Sequence, residues 1–180
     1  MYGKKAVRVA QPKLLINKWA LTKLSETTDS VTNKLDTYDI VGAARDLENF
    51  VTEDISRWYV RRIRDVMKKN SSESKETGAV LAYLLGEISK LLAPFAPFIS
   101  EKIWMELGGS PTSPRLRRAS VHLEDWPKGK ATSVADKKLL KDMENTRRIV
   151  GLALEARAKA GIRVRQPLTK LETKIPVLAM

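Results

Sequence analysis

The 180-residue sequence contains no cysteine. Disulfide staples and thiolate metal sites are therefore excluded, and the absence fits a reducing, cytoplasmic compartment. Histidine is nearly absent too, since His122 is the only one. Any mechanism needing two histidines falls, a histidine zinc site and a paired-histidine nucleotide motif among them. Acidic residues are in deficit: 21 Asp and Glu stand against 33 Lys and Arg, a formal charge of +12. Such a surplus directs the chain toward polyanions, either nucleic acid or an acidic membrane. Long apolar runs are missing. The most apolar stretch, 79–99, is broken by Glu87, Lys90, Pro94 and Pro97, whereas a membrane helix needs about 20 largely apolar residues. Residues 1–8 lack the apolar core of a signal peptide. The glycines are scattered and form no phosphate-cradling loop.

What is present is helical periodicity. Hydrophobic residues make up 43% of the chain, enough for a core. Leu15, Trp19, Leu21 and Leu24 predict a helix over 11–35, with Pro12 in its first turn. A second helix is predicted from Asp36 or Thr37 to Lys68 or Lys69, with Asp39 favouring the positive end of its dipole. Its apolar stripe runs Ile40, Ala44, Leu47, Val51, Ile55, Trp58 and Ile63. A third helix, 74–92, is apolar around much of its circumference and is expected at the centre. Pro97 opens a fourth, 97–107, which Gly108 and Gly109 stop. Residues 108–132 are loose, with Arg115, Arg117 and Arg118 beside an extended stretch over 119–123. Ser133 with Asp136 opens a fifth helix as a capping-box-like pair, and Gly161 is its natural C-cap. Ile162-Arg163-Val164-Arg165 then alternates with the period of a strand. The expected fold class is all-α: a helical bundle over 1–160, then a short extended tail over 161–180 leading to a further, absent C-terminal region.

Two basic clusters stand out. In Arg57-Trp58-Tyr59-Val60-Arg61-Arg62-Ile63-Arg64, Arg57, Arg61 and Arg64 share one helical face, and Trp58 and Arg62 a neighbouring one. Lys68 and Lys69 extend the run. Planar, permanently charged guanidinium groups on a rigid helix suit phosphate contact. The competing reading is a solvated face, with one arginine paired to Asp54. Trp58 is expected in the core, base stacking being its alternative. The second cluster holds Arg157, Lys159, Arg163 and Arg165. Cations at a helix end complement its dipole, which is a structural reason for Arg157 and Lys159. Arg163 and Arg165 would share a strand face and reach a phosphate or a partner domain. His122 lies near Glu124 and Asp125 without a nucleophile, and reads as a loop residue rather than an acid–base group. No catalytic, metal or cofactor site emerges, and the residues alone support RNA binding and nothing more.

Three motifs carry a family resemblance. Leu35-Asp36-Thr37-Tyr38-Asp39-Ile40, then Arg57-Trp58-Tyr59-Val60-Arg61-Arg62, then Leu92-Ala93-Pro94-Phe95-Ala96-Pro97-Phe98-Ile99-Ser100-Glu101-Lys102-Ile103-Trp104 resemble the anticodon-binding domain of class Ia aminoacyl-tRNA synthetases. Ser120-Val121-His122-Leu123-Glu124-Asp125-Trp126-Pro127 is similar to the isoleucyl and valyl branch. The basic run after Tyr59 and the segment from Ala156 through Gly161 to Leu168 look like the isoleucyl enzymes. The resemblance spans about 11–171. It implies a bundle placed after the Rossmann catalytic core of an isoleucine–tRNA ligase, which would use ATP and Mg and form an isoleucyl-adenylate. The fragment itself would hold no cofactor and no catalytic residue. Its implied partners are isoleucine tRNA isoacceptors and the parent's catalytic domain, in a cytoplasmic monomer. The family's His-Ile-Gly-His and Lys-Met-Ser-Lys-Ser type motifs have no match here. Met67-Lys68-Lys69-Asn70-Ser71-Ser72 echoes the latter by chance, at a helix end and in the wrong order. These departures imply a fragment or a stand-alone relative, and Met1 with the end at Pro176-Val177-Leu178-Ala179-Met180 suits an excised piece better. The alternatives are the matching domain of a valyl or leucyl enzyme, or a general RNA-binding helical module.

Overall fold

The computed structural model describes residues 12–107, 120–170 and 172; Arg115, Arg117 and Arg118 lie outside them. Two compact units are distinguished, Met1–Ala131 and Thr132–Met180. In the first, α1 (Leu15–Asp36) is followed by α2 (Ile40–Asn49), a π-helical segment (Phe50–Tyr59) and α3 (Val60–Met67). Then come α4 (Ser72–Leu92), α5 (Pro97–Glu106) and a 3-10 turn (Val121–Leu123). The second unit contains α6 (Val134–Lys159). The class is all-α, a helical bundle.

Local chemistry explains most helix ends. α1 stops in a Schellman motif, in which Asp39 N–H donates to Lys34 C=O and Tyr38 N–H to Leu35 C=O. The motif needs a left-handed residue, and Tyr38 occupies it at φ 61°. Asp39 then caps α2, its carboxylate accepting from Gly42 N–H at 2.9 Å. Asp36 and Thr37, the expected caps, are instead the last turn and C-cap of α1. Ser71 caps α4, and Ser133 with Asp136 closes a full capping box on α6. Gly161, at φ 67°, ends α6 in a second Schellman motif. Replacing Asp39 with Ala is expected to cost about 1 kcal/mol, read as a lower urea midpoint at unchanged m-value.

Tertiary contacts overrule local preference in three places. α1 was expected from residue 11, yet it begins at Leu15. Lys13 N–H donates to Glu76 of α4 at 3.0 Å, which holds that residue and Pro12 outside the helix. The expected extended stretch at 119–123 is a 3-10 turn from Val121. There Glu101 of α5 accepts from Ser120 Oγ at 2.8 Å and Val121 N–H at 2.9 Å, and the side chain of Ser120 takes His122 N–H. The stripe of the second helix also shifts. Its buried residues are Ala43, Leu47, Phe50, Asp54, Ile55, Tyr59 and Ile63, while Ile40 is 58% exposed. The π-helical segment explains this, because i→i+5 bonding carries a five-residue step from Phe50 to Ile55 and from Asp54 to Tyr59.

α4 is central, packing against α1, α3, α5 and the 3-10 turn. Trp19, Phe50, Tyr59, Leu84, Leu91 and Trp104 are almost wholly buried, each such side chain stabilising by roughly 1.5–3 kcal/mol. A polar chain crosses this core. Tyr59 Oη donates to Asn17 Oδ1 at 2.8 Å, and Asn17 Nδ2 donates to Thr77 Oγ1 at 3.0 Å. It joins α1, the π-helical segment and α4. Burial, with the charge of Glu76 adding to it, pushes the Tyr59 hydroxyl well above its ordinary pKa, so it remains a donor. Segment 124–131 is fastened to α1, with Trp126 Nε1 donating to Thr32 at 2.9 Å and Ser25 Oγ to Lys130 C=O at 2.9 Å.

Candidate nucleic-acid interface

The first basic cluster lies across the junction of the π-helical segment and α3. Arg57, Arg61, Arg62, Arg64, Lys68 and Lys69 are all exposed. Arg61, Arg64 and Lys68 follow at three and four residues along α3 and share its outer face. Arg57 sits one turn earlier and pairs with Glu53 at 2.5 Å. Asp54 beside it is buried. Lys68 pairs with Asp65 at 3.0 Å, both side chains mostly exposed, and such a pair is weak enough to yield to a phosphate. Lys68 and Lys69 also stand at the negative end of the α3 dipole.

Trp58 is not a core residue of the kind expected. It is half-buried, and the Arg62 guanidinium lies over its ring at 4.4 Å from the centroid. The five-residue step from Trp58 to Ile63 moves the indole to the edge of the buried face, where a cation covers it. One face of the ring is thereby taken, and Arg62 is held on the outer surface.

The second cluster closes α6. Lys159 is exposed and pairs with Glu155 at 2.7 Å. The expected strand over 162–165 is absent; the segment turns instead. Gln166 N–H donates to Arg163 C=O at 3.0 Å. The cause is Arg157, whose Nη2 donates to the carbonyls of Arg163 at 2.6 Å, Val164 at 3.1 Å and Gln166. A strand would point those carbonyls alternately to opposite sides; a guanidinium collecting all three bends the chain around itself. Arg163 and Arg165 are exposed on this loop. Between the loop and the last turns of α6 lies a groove of about 480 Å³, lined by Ala153, Ala156, Ile162 and Leu168 among others.

Some basic residues escaped the sequence reading. Lys137, Lys138, Lys141 and Arg148 are exposed on α6. Their helical spacing, opposite buried Leu139, Met143, Thr146 and Ile149, was the available signal. His122 is exposed. Among the described residues no group of His, Asp and Glu is arranged to hold a metal ion, and no helix is long and apolar enough to cross a membrane.

A family described as the anticodon-binding domain of tRNA ligase matches residues 17–173. Isoleucine–tRNA ligase from Thermus thermophilus is 37% identical over 163 residues, covering 89% of this chain and 15% of the relative. The Streptomyces coelicolor protein of that name is 38% identical, covering 87% of this chain and 14% of its own length. The Methanopyrus kandleri one is 35% identical, covering 88% and 14%. The chain thus spans about one-seventh of the curated relatives it matches.

Proposed function

The chain belongs to the family of anticodon-binding domains of tRNA ligases, and from that premise we propose that it grips the anticodon stem-loop of isoleucine tRNA for an isoleucine–tRNA ligase. The observation that carries this is the exposed basic face of α3, on a chain whose relatives bear that enzyme's name. Arg57, Arg61, Arg62, Arg64, Lys68 and Lys69 follow the phosphates, and Lys159, Arg163 and Arg165 form a second contact. Unpaired loop bases are read at their edges. Binding here orients the acceptor end toward the catalytic domain of the parent chain, a cytoplasmic monomer. ATP and Mg are consumed at that catalytic domain.

The test is a titration of the 180-residue chain with isoleucine tRNA and an anticodon-swapped version, at two salt concentrations. The native anticodon is expected to bind more tightly, with a preference that survives the higher salt. Phosphate contacts weaken steeply with salt whatever the sequence, whereas base-edge contacts do not. Equal, salt-sensitive binding of both RNAs would leave a general RNA-binding module. Preference for a valine or leucine anticodon would move the domain to a sister enzyme.

A further inference from the structure

Arg157 differs from every other arginine in the two clusters. It is half-buried, and its Nη2 gathers the carbonyls of Arg163, Val164 and Gln166. Its own carbonyl accepts from Ile162 N–H at 2.9 Å, so one residue holds both ends of the turn that begins at Gly161. Arg163 and Arg165 point their charge to solvent from this turn, and neither is in an ion pair among the described residues. A loop carrying two free cations resists ordering, because the two repel and their side chains are rich in rotamers. A half-buried guanidinium whose Nη2 draws in three carbonyl dipoles supplies the opposing force, which a lysine, one atom shorter and on a flexible stem, cannot match.

We propose that Arg157 is a positioning residue: it clamps the 162–166 loop so that Arg163 and Arg165 are preorganised for RNA phosphates, and it touches no phosphate itself. This rests on the tRNA-binding reading above. Positioning and direct contact leave different signatures. Losing a phosphate contact lowers the slope of log K against log salt by roughly 0.7–0.9. Losing preorganisation weakens binding at constant slope, since the same cations still dock once the loop is ordered.

The experiment compares the unmodified 180-residue chain with Arg157→Ala, Arg157→Lys, Arg163→Ala/Arg165→Ala and the triple variant. Isoleucine tRNA affinity is read across a salt series, and trypsin cleavage after Arg163 and Arg165 is read without RNA. We expect Arg157→Ala to weaken binding about tenfold at unchanged salt slope, with no rescue by lysine, and the triple variant to bind no more weakly than Arg163→Ala/Arg165→Ala. Cleavage should accelerate at least tenfold in both Arg157 variants, with circular dichroism at 222 nm unchanged. A slope that drops by one contact, or rescue by lysine, makes Arg157 a phosphate ligand and overturns the proposal. Unchanged cleavage overturns the clamp. Faster cleavage in a chain that binds no tRNA upholds the clamp but removes its RNA ligand, and it is then the tRNA-binding reading that fails.

Discussion

Reversing Arg61 and Arg64 together to Glu is expected to weaken tRNA binding by on the order of 100-fold at low salt while leaving helix content unchanged. Both side chains are exposed on α3, so no core contact is lost. Glu and Arg have similar helix propensities. The local charge pattern also tolerates the change: a glutamate at 61 gains Arg57 four residues before it and repels Asp65 four residues on, while one at 64 gains Lys68, so two gains of a few tenths of a kcal/mol outweigh one loss. Against a phosphate backbone nothing cancels. Each reversal removes an attractive charge and installs a repulsive one, and the salt slope should fall by roughly 1.5 for two lost contacts. Reversing Lys102 is the control for net charge, because it lies exposed on α5 and is paired to Glu106 at 2.8 Å. An affinity within twofold of the unmodified chain, in the double variant, would remove α3 from the interface.

Asn17→Ala is expected to be the most damaging single truncation of a polar side chain, at roughly 3 kcal/mol. Asn17 is fully buried at 0% exposure. It accepts from Tyr59 and donates to Thr77, which lie 42 and 60 residues away in sequence. Removing it strands a phenol and a hydroxyl in the core, each costing about 1–3 kcal/mol unsatisfied. Water cannot readily replace it, because Asn17, Tyr59 and Thr77 are all at 0% exposure. Tyr59→Phe is expected to cost only about 1 kcal/mol, because the bond from Asn17 to Thr77 survives it. For a chain of this size the larger loss lowers the melting temperature by about 6–12 °C. Thermal denaturation of both variants decides the matter: an Asn17→Ala midpoint no lower than that of Tyr59→Phe would show that the polar chain is not a structural unit.

The two predictions separate what the fold is for from what holds it. The arginines of α3 contribute little to stability, being exposed and facing solvent. The π-helical segment behind them contributes placement. Its wider turn lets Phe50, Ile55 and Tyr59 all reach the core, and it moves Trp58 outward, where Arg62 lies over its ring. A regular α-helix would keep Trp58 closer to the line of Ile55, and so its ring deeper in the buried face. The surface that faces RNA in the proposed function is in this way shaped by an irregularity in the buried face beneath it.

Much was legible in the residues themselves. The all-α class, the central position of α4, the opening of α5 at Pro97, the capping box at Ser133 and the C-cap at Gly161 each follow from bonds made within a few residues, or from a periodicity that any short window reveals. The positive charge and its two clusters are likewise properties of composition and spacing, and they survive whatever the fold does. Other features belong to the tertiary structure alone. The step of five hidden in the second helix, the start of α1 at Leu15 under the hold of Glu76, the Tyr59–Asn17–Thr77 chain and the folding of 162–166 around Arg157 all hang on which groups meet. In the polar chain the partners are some 40 to 60 residues apart. In the loop, a side chain outbids the strand pattern for its own backbone carbonyls. Periodicity reports which face of an element is apolar. It carries no information about which donor will find which acceptor once those faces are pressed together, because that is set by the geometry of the assembled core.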